Sequence, residues 1–198
     1  MAFGAFAQML LPKRYLITPD PYDAGPPALF LEQLKRTLDS GIELVQLRSK
    51  KLNALHYMRL AETAMALCQQ HDALLLLNAH APRSAQHNVD GLHLDSQSLM
   101  ACDERPLPAA KLVAASCHTM AELEKAQSIG ADFVTLSPVL RTASHPDAEP
   151  LGWRGFLALA SRATLPVYAL GGLSTDALSD AERHGAYGIA GIRCFWKP

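Results

Sequence analysis

Short runs of β-branched or Leu-rich residues recur along the chain at intervals of roughly twenty to thirty residues, each followed by a stretch whose apolar positions return at helical spacing. The runs are Tyr15–Thr18, Leu44–Arg48, Leu74–Asn78, Gly91–Asp95, Leu112–His118, Phe133–Val139, Val167–Gly171 and Gly188–Ile192. Strand and helix alternating in this way predict βαβ units and a parallel sheet. After the second run, Tyr57, Leu60, Ala61, Ala64, Leu67 and Cys68 fall on one helix face, as do Met120, Leu123 and Ala126 after the fifth. Thr119 stands where it would cap the latter helix, with Glu122 three residues on to complete a capping box. The connection after Asn78 is brief and prolines interrupt residues 97–108, so the helices there are predicted to be short or poorly formed.

Eight strand-helix units in 198 residues predict one compact (β/α)8 barrel, a TIM barrel, over residues 1–198; an open doubly wound sheet shares the local pattern and is the alternative. Cys194–Pro198 cannot supply a full eighth helix, which is predicted short or missing, leaving that wall to the N-terminal segment, a partner or solvent. Residues 1–12 read as a capping helix or lead-in rather than a targeting segment, because no Lys or Arg precedes their apolar run. No run approaches the ~20 apolar residues of a membrane helix. Lys and Arg number 18 against 19 Asp and Glu, a net charge of -1, which provides no field for nucleic acid or an anionic membrane and points to a small-molecule partner. The cysteines Cys68, Cys102, Cys117 and Cys194 form no CxxC pair, which suits a reducing cytoplasm better than a zinc site or disulfide framework.

Barrels gather substrate groups at the C-terminal ends of their strands. There Gln46, Arg48 and Lys50 alternate with Val45, Leu47 and Ser49, placing three polar side chains on one face. An Arg within an apolar strand is costly to bury without an anion, so these three are predicted to bind substrate. Asn78 ends the third run, His93 and Asp95 alternate with Leu92 and Leu94, and Ser116 and His118 flank Cys117. Asn78, His93 and His118 are predicted to face one cavity, in which the small Ala114 and Ser116 leave room for a ring. His118, able to take and return a proton near neutral pH, is the candidate catalyst. Gly171 and Gly172 follow an apolar strand and precede a helix, which predicts a phosphate cradle of backbone N–H groups completed by Gly191, Ile192 and Arg193 from the neighbouring strand. A plain tight turn is the other use of such a pair. The long loop Arg141–Gly152, with Arg141, Thr142 and His145, is predicted to close over substrate.

YLITPD at 15–20, QLRSK at 46–50, DGLHL at 90–94, the S-x-H of 116–118, GADFVTLSPV at 130–139 and ALGGL at 169–173 stand in the order of one family. Together they resemble the thiamine phosphate synthase and TenI family over nearly the whole barrel. The chain is also similar to the barrel domain that some bacteria append to a Nudix hydrolase, although it contains no Nudix box. The resemblance implies a small phosphorylated thiazole or thiamine-related ligand, and as macromolecular partners a second copy of the chain or a Nudix-type hydrolase. In synthases of the family a pyrimidine diphosphate ionises and the thiazole nitrogen captures the cation, while Mg²⁺ on two acidic residues and a Lys neutralise the pyrophosphate. Aligned on the motifs, those three positions hold Ala79, Ser98 and His145. Mg²⁺ takes hard oxygen ligands, so the expectation is no cofactor, with Mg²⁺ required only if the chain is a synthase. TenI-type thiazole tautomerases lack the metal pair and use a His at the end of strand five, which His118 and LDSQSL at 94–99 match. The resemblance thus implies a tautomerase or a degenerate synthase-like protein. Its alternatives are a thiamine phosphate synthase and a non-catalytic phosphate sensor or docking partner of a hydrolase.

Overall fold

The computed structural model describes residues 11–82, 89–142 and 147–196. Strands β1 (Arg14–Ile17), β2 (Leu44–Leu47), β3 (Leu74–Asn78), β4 (Gly91–Leu94), β5 (Leu112–Cys117), β6 (Phe133–Leu136), β7 (Val167–Leu170) and β8 (Gly188–Gly191) pair in parallel in chain order. β8 returns to β1, with Tyr15 opposite Ala190, and the sheet closes into a barrel rather than remaining open. Each predicted run after the first contains its strand, and β1 begins one residue before its run, at Arg14; β6 stops short of Val139 because Pro138 has no N–H for the ladder.

The outer ring consists of α1 (Pro27–Asp39), α2 (Ala54–Gln70), α3 (Ser96–Ala101), α4 (Met120–Ser128), α5 (Gly152–Ala160) and α6 (Leu178–Arg183). Among the described residues no helix joins β3 to β4 and none follows β8. α2 buries Tyr57, Leu60, Ala61, Ala64 and Cys68, and α4 starts with the expected Thr119–Glu122 capping box. No helix of the described residues is long and apolar enough to cross a membrane.

Period-2 alternation sorts the strand side chains into two cores. Leu16, Val45, Leu75, Leu77, Val113 and Val134 face the helices. Tyr15, Ile17, Leu44, Leu76, Ala114, Phe133 and Tyr168 fill the barrel interior. Tyr15, Phe133 and Tyr168 pack there with ring centroids 5.2 to 5.7 Å apart, tilted or edge-on, as aromatic quadrupoles favour. Tyr168 and Tyr187 donate their hydroxyls to the carbonyls of Pro12 and Leu11, which ties residues 11 and 12 to the barrel. The predicted lead-in or capping helix otherwise lies outside the described residues.

The wall without an eighth helix has a cover that the sequence reading did not anticipate. Residues 192–195 turn back, Phe195 is buried, and Trp196 lies 4.9 Å from Phe30 of α1 while its Nε1–H donates to Gln33. Two aromatic side chains thus seal the gap. A Cβ at Gly191 would lie 2.1 Å from Cys194 Sγ, so any larger residue there would force the Cys194 side chain to move.

Candidate functional site

Toward the C-terminal end of the barrel the apolar filling gives way to Gln46, His93, Ser116 and Thr135. Gln46 and His93 are buried, and His93 hydrogen-bonds in two directions, its Nδ1 2.9 Å from Tyr15 Oη and its Nε2 2.8 Å from Ser116 Oγ. Burial pushes this imidazole down to about 4, and Arg48 adds to the shift while Asp95 opposes it, so the ring is neutral at physiological pH. The same burial raises the Tyr15 phenol well above its ordinary range. Thr135 is the register partner of Ser116, fully buried, and its hydroxyl alone among the described buried side-chain polar atoms lacks a partner. Sequence reading missed Tyr15 and Thr135. The signal available for Thr135 was its parity with Phe133, since both fall on the inward side of β6.

The end of β2 is held by backbone hydrogen bonds. Thr18 N donates to Gln46 O and Arg48 N to Thr18 Oγ1, each at 3.0 Å. Arg48 is half-buried and has no acidic partner among the described residues, whereas Lys50 is exposed. Lys50 N donates to Asp20 Oδ2 at 2.8 Å, and Ser49 Oγ donates to Asp20 Oδ1 at 3.3 Å. Asn78 clamps the same turn: Nδ2 donates to Ser49 O at 3.2 Å, and Oδ1 accepts from Ser49 N at 3.3 Å and Tyr57 Oη at 2.8 Å. Its amide thus holds the Ser49 turn, and these bonds use one of its two Nδ2 hydrogens. Asp20, Ser49 and Tyr57 were not singled out in the sequence, although Asp20 lies inside the YLITPD motif.

His118 stands just past β5 and is exposed, whereas His93 is buried within β4. Asn78 and His93 are register partners on adjacent strands and share a face of the sheet, and His118 follows at the exposed end of β5. His118 Nδ1 lies 2.7 Å from the Ser137 carbonyl oxygen. A carbonyl only accepts, so Nδ1 carries the hydrogen and Nε2 presents its lone pair. The backbone is fixed as well: His118 N donates to Glu122 Oε2 at 2.6 Å and Thr119 N to the same oxygen at 2.9 Å. Burial pushes the Glu122 carboxyl up, but hydrogen bonds from Ser96, His118 and Thr119 outweigh it and hold the group below the ordinary range.

Across the rim, Gly171 and Gly172 have φ of 106° and 71°. A Cβ on Gly172 would stand 2.6 Å from Arg141 O and 2.7 Å from Leu140 Cβ, and one on Gly171 2.9 Å from Pro138 Cα. Val139 N donates to Leu170 O and Leu140 N to Gly171 O, so the chain leaving β6 is laced to the end of β7. The pair does make the tight passage that was its alternative reading. The same passage leaves the amides of Gly172, Leu173, Ile192 and Arg193 with no acceptor among the described residues. The base of the following loop is pinned where Leu151 N meets Pro138 O at 2.8 Å and Gly152 N meets Val139 O at 2.9 Å. Thr142 is half-buried and Arg141 exposed at its start, and His145 lies outside the described residues. A cavity of about 310 Å³ is lined by Gly172, Leu173 and Ser174 together with Leu140, Trp153 and Asp176.

At the positions aligned with the family's metal acids, Ala79 packs on the outer core and Ser98 lies in the first turn of α3. The nearest carboxylate in sequence, Asp95, is occupied: Oδ1 accepts from Ser98 N and Oδ2 meets His80 Nε2, both at 2.8 Å. Among the described residues no group of three or more His, Cys, Asp or Glu is placed to hold a metal ion.

Comparison with known proteins agrees with the fold and extends it. The chain is 37% identical over 187 residues to an Aquifex aeolicus protein carried under a provisional thiamine-phosphate synthase name, covering 94% of this chain and 99% of that one. It is 31% identical over 186 residues to the thiamine-phosphate synthase of Methanospirillum hungatei, covering 90% and 86% of the two chains. Among solved structures, a thiamine phosphate pyrophosphorylase from Pyrococcus furiosus superposes with a TM-score of 0.72 at 23% identity, over 91% of this chain and 85% of that one, a likeness of fold. The family model described as thiamine monophosphate synthase, TMP-TENI, matches residues 14–195, and the chain belongs to that family.

Proposed function

We propose that the protein is a thiazole tautomerase of the thiamine pathway, with His118 carrying a proton between two positions of a phosphorylated thiazole carboxylate. The observation that carries the reading is the locked imidazole at the rim. With Nδ1–H spent on the Ser137 carbonyl, Nε2 is the basic atom, and the imidazolium formed when it takes a proton is stabilised by that carbonyl. Deprotonation at one atom of the substrate and return of the proton to another from the same nitrogen leaves the enzyme unchanged. Arg48 supplies a positive charge for the substrate carboxylate, Gln46 an amide for the ring, and the unpartnered amides beside Gly172 and Ile192 a cradle for the phosphate, with Arg193 next to them.

The residues present do not fit Mg²⁺. A methyl and a hydroxyl replace carboxylates at Ala79 and Ser98, and Asp95 is already bonded twice. The specific observation in favour of a second reading, thiamine phosphate synthase, is the activity named for the relatives.

The test is turnover of the thiazole carboxylate phosphate by the unmodified protein and by His118→Asn. The variant is expected to lose roughly 10²–10⁴ in kcat, the usual range for general acid–base catalysis, while binding changes only severalfold. Equal turnover would remove His118 from the mechanism. Tight binding without turnover in the parent would favour a sensor, and pyrophosphate release with a pyrimidine diphosphate would favour the synthase.

A further inference from the structure

The buried chain beneath the mouth fixes the direction in which its protons run. Tyr15 Oη is fully buried, and its polar neighbour among the described residues is His93 Nδ1. If Nδ1 carried a hydrogen, the single phenolic proton of Tyr15 would face no acceptor, an arrangement that folded interiors avoid. Tyr15 therefore donates to Nδ1. The neutral imidazole then has its hydrogen on Nε2, which donates to Ser116 Oγ at 2.8 Å. Ser116 has its accepting side occupied from below and its own proton left to give. Beside it, about one strand spacing away, lies the second hydroxyl, that of Thr135, buried and without a partner.

We infer that Tyr15 and His93 are positioning residues that set Ser116, with Thr135 next to it, as hydroxyl donors for a hydrogen-bond acceptor on the ligand. The ligand class this selects is a ring presenting an unprotonated azole nitrogen or a carboxylate oxygen at that depth, and it disfavours one presenting N–H. The recognition half of the inference rests on the mouth being the ligand site, as proposed above; the proton order does not. A structural filler at position 93 would work equally well as an apolar side chain, whereas this role needs an acceptor on one side and a donor on the other.

The experiment has two arms. In the first, ¹⁵N-resolved NMR of the histidines in the unmodified, ligand-free protein is expected to show His93 as the Nε2–H tautomer, untitrated from about pH 8 down to about pH 5.5. An Nδ1–H tautomer, or titration near the ordinary histidine value, would overturn the proton order. In the second, affinity for hydroxyethylthiazole phosphate is measured by calorimetry. Ser116→Ala and His93→Leu should each weaken it roughly tenfold and Thr135→Val severalfold, while His93→Gln, which keeps an acceptor and a donor, stays within about threefold of the parent. Equal affinity in Ser116→Ala and Thr135→Val, or no difference between the Leu and Gln variants, would overturn the recognition role. If the unmodified protein binds no hydroxyethylthiazole phosphate, the proposed function fails and the recognition half fails with it, and the NMR arm still decides the proton order.

Discussion

The two halves of the barrel mouth are built from different material. On the β1–β5 side, polar side chains are bonded to one another: Tyr15 to His93 to Ser116, Asn78 to Ser49 and Tyr57. On the β7–β8 side, side chains are absent where they would matter, and glycines at positive φ bring bare backbone against the loop after β6. The first half offers titratable and directional groups suited to handling a ring and a proton. The second offers unpartnered amides, which suit a phosphate whose charge is spread over several oxygens. A substrate with a reactive ring at one end and a phosphate at the other fits this division.

The largest effect expected from breaking the contrast is at the glycine side. Gly172→Val must force a Cβ into Arg141 O and Leu140 while holding φ at 71°, so it should destabilise the fold by about 3 kcal/mol or more and abolish binding of phosphorylated ligands. Gly130→Ala separates the two causes: its φ is 72° but a Cβ there meets nothing within 4 Å, so it should cost only about 1–2 kcal/mol, the price of the backbone alone. Denaturant titration of both variants checks the difference. Equal losses would mean that the loop packing against Gly172 contributes little.

The side-chain half should announce itself in acid. His93 is neutral when folded, with its value pushed from 6.5 down to about 4, so the unfolded chain binds the extra proton first. This contribution is fully present above about pH 6.5, is lost as pH falls, and levels off below about 4. Its full size is about 3 kcal/mol. Urea midpoints measured from pH 7 to 4 should show this slope in the parent and not in His93→Gln. A parent with a flat profile until the carboxylate range would contradict the buried neutral imidazole.

A smaller effect is expected at Asn78. Replacement by Ala leaves the Tyr57 hydroxyl with only its Leu47 carbonyl contact and removes both side-chain bonds to Ser49, so a loss of about 2 kcal/mol is expected, read by the same titration. If Asn78 instead acts only on ligand, stability would be unchanged and affinity alone would fall.

Much of this architecture was legible from local pattern. The strands are short apolar runs bounded by turn residues, and period-2 parity alone places Gln46, His93 and Ser116 on the inward side, because a closed barrel preserves it. What parity cannot supply is partnership. Tyr15 meets His93 across 78 positions of chain, a contact fixed by the stagger of the closed sheet rather than by any local signal. The commitment of Asn78 to Ser49 and Tyr57 was hidden for the same reason, and so was the sealing of the helix-free wall by Phe195 and Trp196, which depends on where α1 lies. The glycine pair was readable as either cradle or turn; the geometry shows the tight turn, and the cradle is the reading proposed above.

The central claim, that the mouth holds a phosphorylated thiazole without help from a metal, is tested most directly by thermal unfolding with hydroxyethylthiazole phosphate or inorganic pyrophosphate, each with and without Mg²⁺. At a hundredfold excess over Kd a bound ligand adds about 2.7 kcal/mol, which for a chain of this size is a rise of about 5–10 °C in Tm. The account predicts that rise with the thiazole phosphate, equal in the presence and absence of Mg²⁺. No rise with the thiazole phosphate, or stabilisation only by pyrophosphate together with Mg²⁺, would contradict it.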